Sequence, residues 1–438
     1  MDAPSTGEAV STSNEAIIAG VDAKSPQLNA VGALVEIYRY TYCPYPYNCS
    51  SGTGGSAGAT AVAGAAGKSV VPVPIVPEGA INPRSGRLHR LIPDWAAGGV
   101  AGATSGTGGA AGARPIPIAG AAGGGLPPTR PIEVVQYSPF CTGTLIGPTA
   151  VMTAEHCLRD LDYMSNIEVG FAVGPDASNP TAVYPIVDWD WESNVPADYN
   201  QLLGDLGSDV GVAHLGEAVE GVTPFAVGTL SEADLEKRFT ALGYGIQDND
   251  YTNGTRKAGS VTLRGTGGNY ADYAFGGLEG FLAVAPTMPS FEGLDPVYLT
   301  EIYYSLNLIP EYQAFFGGRC GDAQPCYGDS GGPIVAMRNG ARTVFGNITN
   351  GMGSSRLVCD YGVVAAIFGP LTQSYLEDSL AWVDPCADVT VNGHCDGDVA
   401  VRCTNRREGA RRLSQTDCSL IGQTCGLDPQ QNAACVDP

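Results

Sequence analysis

Short β-branched and aromatic runs recur along residues 135–384, each closed by Gly, Asn or Asp. Asn166–Val173, Val183–Val187, Val210–His214, Thr240–Tyr244, Thr343–Ile348 and Val363–Ile367 are such runs. Regularly spaced short strands with turn residues between them predict an all-β sandwich or barrel. An apolar, strand-like stretch also leads from Ile17 into the alternating run Ala33–Tyr40, and Ser374–Val383 has the period of an amphipathic helix. Three other segments lack this pattern. Residues 1–16 are small, polar and acidic, with no apolar block of signal-peptide length. Residues 50–134 are rich in Gly, Ala and Pro, with the similar pieces Ser51–Ala59 and Ser105–Ala113 each followed by a Pro-alternating stretch. Such a segment buries too little side-chain area to offset its ordering entropy, and reads as a flexible or polyproline-like insert. From Cys386 onward no apolar run is long enough for a core, and six cysteines in 53 residues predict a separate disulfide-stapled module.

Composition narrows the possibilities. The 438 residues suit two domains, or one domain with inserts. No apolar run of about 18 residues occurs, so no spanning helix is expected. The formal charge of −22 excludes a general nucleic-acid binder, which needs a basic surplus to displace counterions. That charge is local: the insert carries +3 and the tail −2, leaving −23 on 1–49 and 135–384, where it favours solubility. Thirteen cysteines imply an oxidising compartment. Cys43 and Cys49 suit a local staple, and Cys141 with Cys157 a short loop around the intervening residues. The terminal six (Cys386, Cys395, Cys403, Cys418, Cys425, Cys435) admit about 15 connectivities. Zinc is disfavoured, because no C-x2-C pair or His/Cys cluster of ligand spacing is present.

Only four histidines occur. His89 lies in the insert, His214 ends a strand-like run, and His394 falls among turns of the tail. His156 stands directly before Cys157, in a setting that restrains its ring. Farther on, Gly328-Asp329-Ser330-Gly331-Gly332-Pro333 places glycines on both sides of a serine. Glycines there let the backbone turn sharply and present N–H groups toward one point, which is what a developing oxyanion needs. A serine hydroxyl is a weak nucleophile until a base takes its proton, and the base needs a buried carboxylate to fix its tautomer. Asp209, which leads into Val210–Leu215, is the best-placed acid. Two other signals carry no function. Ala61–Ser69 imitates a phosphate loop without its first glycine. The cluster Arg402, Arg406, Arg407, Arg411 and Arg412 shares its module with seven acids and reads as a solvated loop.

In Thr153–Cys157 (TAEHC), Asp209–Leu215 (DVGVAHL) and Cys326–Pro333 (CYGDSGGP), in the order His, Asp, Ser, the chain resembles the chymotrypsin/trypsin family of serine peptidases. Ile17–Gly20 (IIAG) and Gly243–Gly245 (GYG) add to the likeness. The resemblance implies an all-β fold of two packed antiparallel β-barrels over 17–384, with the insert inside it and the module 385–438 beyond. It implies His156 as general base, Asp209 as orienting carboxylate and Ser330 as nucleophile, with the Gly328 and Ser330 amides as the oxyanion hole. No metal or organic cofactor is implied. Residues 1–16 become an activation peptide, cut after Ala16 so that the Ile17 α-ammonium pairs with Asp329. Gln324 falls at the base of the specificity pocket and Gly351 and Gly362 on its walls, which disfavours Arg or Lys and admits a larger uncharged side chain. A Cys326–Cys359 pair is also implied, leaving Cys320 over. The sequence departs from the family pattern at Glu155, beside the histidine, and in Gly317–Pro325, where Asp322 adds an acid near the pocket. The expected function is a secreted or cell-surface serine endopeptidase acting on proteins or peptides. The alternative is a catalytically silent, peptidase-like binding protein of the cell surface. Residues 386–438 are a candidate for contact with an envelope or surface partner.

Overall fold

The computed structural model describes residues 17, 20–42, 132–161, 167–192, 208–246, 252–288, 291–351, 361–387, 389–404 and 411–437. The leader 1–16, nearly all of the 50–134 insert, His89, the Cys43–Cys49 pair, Cys359, Arg406 and Arg407 lie outside them. Internal contacts group 1–38, 93–100 and 135–438 as one unit and 39–92 with 101–134 as another, the second almost wholly outside the described residues.

Six strands close the first barrel: β1 (Val31–Tyr42), β2 (Ile132–Leu145), β3 (Ala150–Thr153), β4 (Glu168–Val173), β5 (Ala182–Trp191) and β6 (Gly211–Leu215). Their order around the ring is β1-β2-β3-β6-β5-β4. β4 closes it by pairing antiparallel with β1, Ala172 opposite Ala33 and Glu168 opposite Ile37. Leu34, Val151 and Phe171 meet around Gly143, and Met152 and Val212 are buried in the same core cluster. β6 is buried at every position, and a strand covered on both faces accounts for the unbroken apolar run read from the sequence.

A second ring forms from β7 (Arg238–Gly243), β8 (Lys257–Gly265), β9 (Gln313–Phe316), β10 (Pro333–Arg338), β11 (Ala341–Gly351) and β12 (Val363–Ile367). The order β8-β9-β12-β11-β10-β7 returns to β8 through pairs such as Gly259 with Ala241. Register shifts at Leu263/Gly265, Ile334/Val335 and Ile348/Asn350 add the local bends that closing a sheet requires. Phe239 meets Phe316 and Phe345 edge-on, each at 5.5 Å, in a core that also holds Ile17. The all-β double barrel expected from the sequence is the observed fold.

Helices appear where the strand pattern gave no warning. Between β8 and β9 lie α2 (Tyr270–Phe275), α3 (Leu278–Val284) and α4 (Pro296–Ser305), after α1 (Glu155–Leu161) of the first barrel. Their caps are local: Asn269 Oδ1 accepts the Ala271 N–H at 2.8 Å, and Asp295 Oδ1 the Val297 N–H at 2.7 Å. Their aromatic faces join Phe315 and Val364 of the second barrel in one cluster. The C-terminal helix α5 spans Pro370–Leu380 and starts four residues before the expected Ser374, because Pro370 occupies its first turn. Tyr375 of α5 donates to the Asp190 carbonyl at 3.0 Å, Asp190 holds His214 Nε2 at 3.0 Å, and His214 stacks on Trp382 at 4.2 Å. His214 is thus a structural residue, as expected.

The tail pairs Cys386–Cys403, Cys395–Cys425 and Cys418–Cys435, one of the open connectivities. Arg411 ties it to Asp384 with two bonds of 2.7 Å. Cys320 is free and exposed. No described helix is long and apolar enough to cross a membrane.

Candidate active site

His156 is set by its neighbours in sequence. The buried strand β3 ends at Thr153, and α1 begins at Glu155, so the ring emerges in the first turn of the helix. Cys157 is bonded to Cys141 of β2 across a Cα separation of 6.3 Å, which fixes that turn against the barrel. Cys141, His156 and Cys157 bring their polar atoms within 4.8 Å of one another, but both sulfurs belong to the disulfide and neither is a thiolate ligand. Glu155, the departure noted beside the histidine, pairs with Arg159 at 3.7 Å along α1.

Asp209 is 1% exposed, against 17% for the His156 side chain. It takes a left-handed backbone conformation, φ +39°, just before β6. Its carboxylate oxygens both lie 3.1 Å from His156 Nδ1, and one accepts the His156 backbone N–H at 3.0 Å. A carboxylate so placed holds the proton on Nδ1 and leaves Nε2 as the acceptor. From the second barrel, Asn347 Nδ2 donates to the Asp209 carbonyl at 3.1 Å.

Ser330 lies in the turn before β10. Its carbonyl accepts the Thr142 N–H at 2.8 Å and lies 3.8 Å from Cys157 Sγ, against the same disulfide that holds His156. Gly331, at φ +77°, leaves no room for a Cβ, which would overlap Thr153 Oγ1 and Thr142 O. The N–H groups of Asp329, Gly331 and Gly332 bond to Cys326 O, Ile348 O and Asp329 O. Among the described residues nothing accepts the N–H of Gly328 or of Ser330. Gly328 stands at φ +92°, a conformation that favours glycine. The Asp209–His156 pair and the backbone of the Ser330 loop are thus both held against the Cys141–Cys157 disulfide, and two N–H groups of that loop have no acceptor among the described residues.

Residues 124–275 match the family model described as Trypsin. Over that stretch the chain is similar to the trypsin family. The match covers His156 and Asp209 and ends before Ser330, while the second ring of strands supplies the remainder of the double barrel. No curated protein matches the chain.

The other positions expected from the resemblance have distinct settings. Ile17 is buried in the second-barrel core, where its Cγ2 packs beside Gly259. Asp329 is buried, and its oxygens accept the Gly245 and Cys326 N–H groups at 2.8 Å each. Burial raises its carboxyl from 3.8 to about 7 in spite of these two bonds. Gln324 is buried with its Oε1 on the Gly362 N–H at 2.7 Å. Gly362, at φ +94°, backs onto Phe315, and Gly351 faces the Pro325 carbonyl. Asp322 does not reach this group: its Oδ1 accepts from Thr262 at 2.9 Å and its Oδ2 from the Arg319 N–H at 3.3 Å. Cys326 is disulfide-bonded.

Two contributors were not singled out from the sequence, Thr142 and Asn347. Thr142 had one weak signal, its place next to Cys141. Asn347 sits 138 residues from Asp209, and only the closure of the second ring brings them together.

Proposed function

We propose that the protein is a secreted or cell-surface serine endopeptidase that cleaves peptide bonds through an acyl-enzyme. The observation that carries this reading is the buried Asp209 carboxylate on His156 Nδ1. It makes Nε2 the basic nitrogen and stabilises the imidazolium formed when Ser330 gives up its proton. Ser330 Oγ then attacks the scissile carbonyl, and the oxyanion develops toward the Gly328 and Ser330 N–H groups. His156 returns the proton to the leaving amine, and water attacks the acyl-enzyme by the same steps. Three disulfides in the tail and one beside the base suit an oxidising compartment.

The domain plan follows from the sequence pattern: leader 1–16, peptidase domain 17–384 interrupted by the insert of about 50–134, and module 385–438. The chain acts as a zymogen, and a cut after Ala16 frees an Ile17 α-ammonium to neutralise buried Asp329. The pocket base is neutral, since Gln324 is bound to Gly362 and Asp322 is engaged elsewhere, so uncharged side chains are preferred over Arg and Lys.

The test is labelling by a fluorophosphonate before and after a cut at Ala16. One label per chain is expected in the cut protein and none in Ser330→Ala. Absence of labelling after the cut would refute the assignment and favour a silent binding protein. A peptide-library cleavage profile of the labelled form then reads the pocket.

A further inference from the structure

Four successive carbonyls lead through the nucleophile: Tyr327, Gly328, Asp329 and Ser330. Each accepts a hydrogen bond. Tyr327 O accepts the Ile246 N–H at 2.7 Å, and Asp329 O the Gly332 N–H at 2.8 Å. A trans peptide is planar with its C=O and N–H opposed, so fixing these two carbonyls aims the Gly328 and Ser330 N–H groups the other way. The two remaining carbonyls are held by one residue. Thr142 N–H bonds to Ser330 O at 2.8 Å, and Thr142 Oγ1 to Gly328 O at 2.9 Å.

The direction of that second bond is fixed. Thr142 Oγ1 also accepts the Tyr244 N–H at 3.1 Å, and an amide N–H only donates. The hydroxyl proton therefore goes to Gly328 O. Thr142 is fully buried, so bulk water does not replace it. We propose that Thr142 is a positioning residue for the oxyanion donors: its amide and hydroxyl together hold the Gly328–Ser330 backbone with the Gly328 and Ser330 N–H groups turned away from the anchored carbonyls. Without the hydroxyl, the Gly328–Asp329 peptide keeps only the bond from the Asp329 N–H to Cys326 O, and the Gly328 donor drifts from the line on which charge develops. Because Thr142 follows Cys141, the strand that fixes the base through the disulfide also fixes the donors. The proposal rests on the peptidase reading and adds to it a first-barrel residue that touches no substrate.

The test compares the parent with Thr142→Val, which keeps the shape and loses the hydroxyl, and Thr142→Ser, which keeps the hydroxyl. All are cut after Ala16, and rates are taken per active site titrated with a fluorophosphonate. Thr142→Val is expected to lose about tenfold or more in kcat, less than the ~10²–10³ that deleting a donor outright costs. KM is expected to stay within about twofold, since the interaction lost belongs to the transition state. Affinity for a peptide boronate, whose tetrahedral adduct uses the same donors, should fall by the factor lost in kcat/KM. Thr142→Ser should return kcat and boronate affinity to within about twofold of the parent. A merely structural role would reduce the number of titratable sites and leave the rate per site unchanged. Parental kcat in a folded Thr142→Val overturns the proposal, and so does a folded Thr142→Ser with kcat lowered tenfold. If Thr142→Val does not fold, the serine variant alone decides in that way. A parent that never labels overturns the peptidase reading itself and this inference with it, a result distinct from either variant outcome.

Discussion

Asp329 offers a measurable consequence of burial. Its carboxyl stands at about 7 in the folded chain, against an ordinary value of 3.8, with desolvation as the leading cause. The two backbone N–H bonds oppose that shift and do not cancel it. A difference of roughly three pH units corresponds to about 4 kcal/mol. Below 3.8 the group is protonated in both states and has no effect on stability. Between 3.8 and about 7 the unfolded chain has released the proton while the folded chain keeps it. Stability should therefore fall as pH rises through this window, by up to about 1.4 kcal/mol per pH unit. The perturbation is Asp329→Asn in uncut Ser330→Ala, a background that cannot digest itself. Asparagine does not ionise, keeps one oxygen for Gly245 or Cys326, and leaves the other N–H facing an NH2 group, at about 1–3 kcal/mol independent of pH. Urea unfolding followed by tryptophan fluorescence from pH 4.5 to 8.5 should give curves that converge with rising pH and meet or cross near neutrality. Parallel curves would show that the buried carboxyl is not carrying the shift, and the reasoning from desolvation would fail. After a cut at Ala16 the same slope should vanish, because an ammonium beside Asp329 lowers its pKa.

Two further perturbations probe what holds the site in place. Arg256 is fully buried and spends its donors on the carbonyls of Ala23, Ser25, Leu28 and Val31 and on Asn29 Oδ1, at 2.8–3.2 Å. Arg256→Met strands those acceptors and should cost about 3–5 kcal/mol in urea unfolding, and a loss under about 1 kcal/mol would show that this clamp on the N-terminal segment is dispensable. Gly331→Ala combines φ +77° with a Cβ only 2.7 Å from Ala154 N, so the serine loop should leave its seat beside His156. Fluorophosphonate labelling should then slow at least about 10²-fold, and a parental rate would contradict the packing described.

Legibility in the sequence followed the range of the forces involved. Val363–Ile367 was read to its exact ends because a strand buried on both faces leaves an unbroken apolar run. Cys141–Cys157 was legible because one short loop brings the partners together. The His156–Asp209 contact was legible because each residue sits in a motif whose neighbours have a visible purpose. The helices α2–α4 were not. Their six to ten residues are too short for a clear period, and their aromatic composition imitates strands. Beyond their local caps, it is packing in the cluster with Phe315 and Val364 that holds them. The same holds for Thr142 and Asn347, whose partners lie 186 and 138 residues away. The two-residue strand Val21–Asp22 likewise depends on pairing with Ala258 and Lys257.

The serine loop is gripped from two directions that respond differently to charge. From the first barrel, Thr142 and the close fit of Gly331 against Thr153 are neutral contacts, independent of pH and of any cut. From the second barrel, Asp329 binds the Gly245 and Cys326 N–H groups with a carboxyl whose ionised form is strongly disfavoured where it lies. The backbone geometry that aims the Gly328 and Ser330 amides is already present with residues 1–16 attached. On the zymogen reading, what the uncut chain lacks is compensation for the negative charge of Asp329 at neutral pH. A penalty of about 4 kcal/mol corresponds to roughly a thousandfold in the population of the ordered loop. On the zymogen reading, a cut after Ala16 therefore acts on an equilibrium: it supplies the missing positive charge and shifts the population toward an arrangement the fold has built in advance. The first-barrel contacts, being neutral, are on that reading the part of the site that activation leaves untouched.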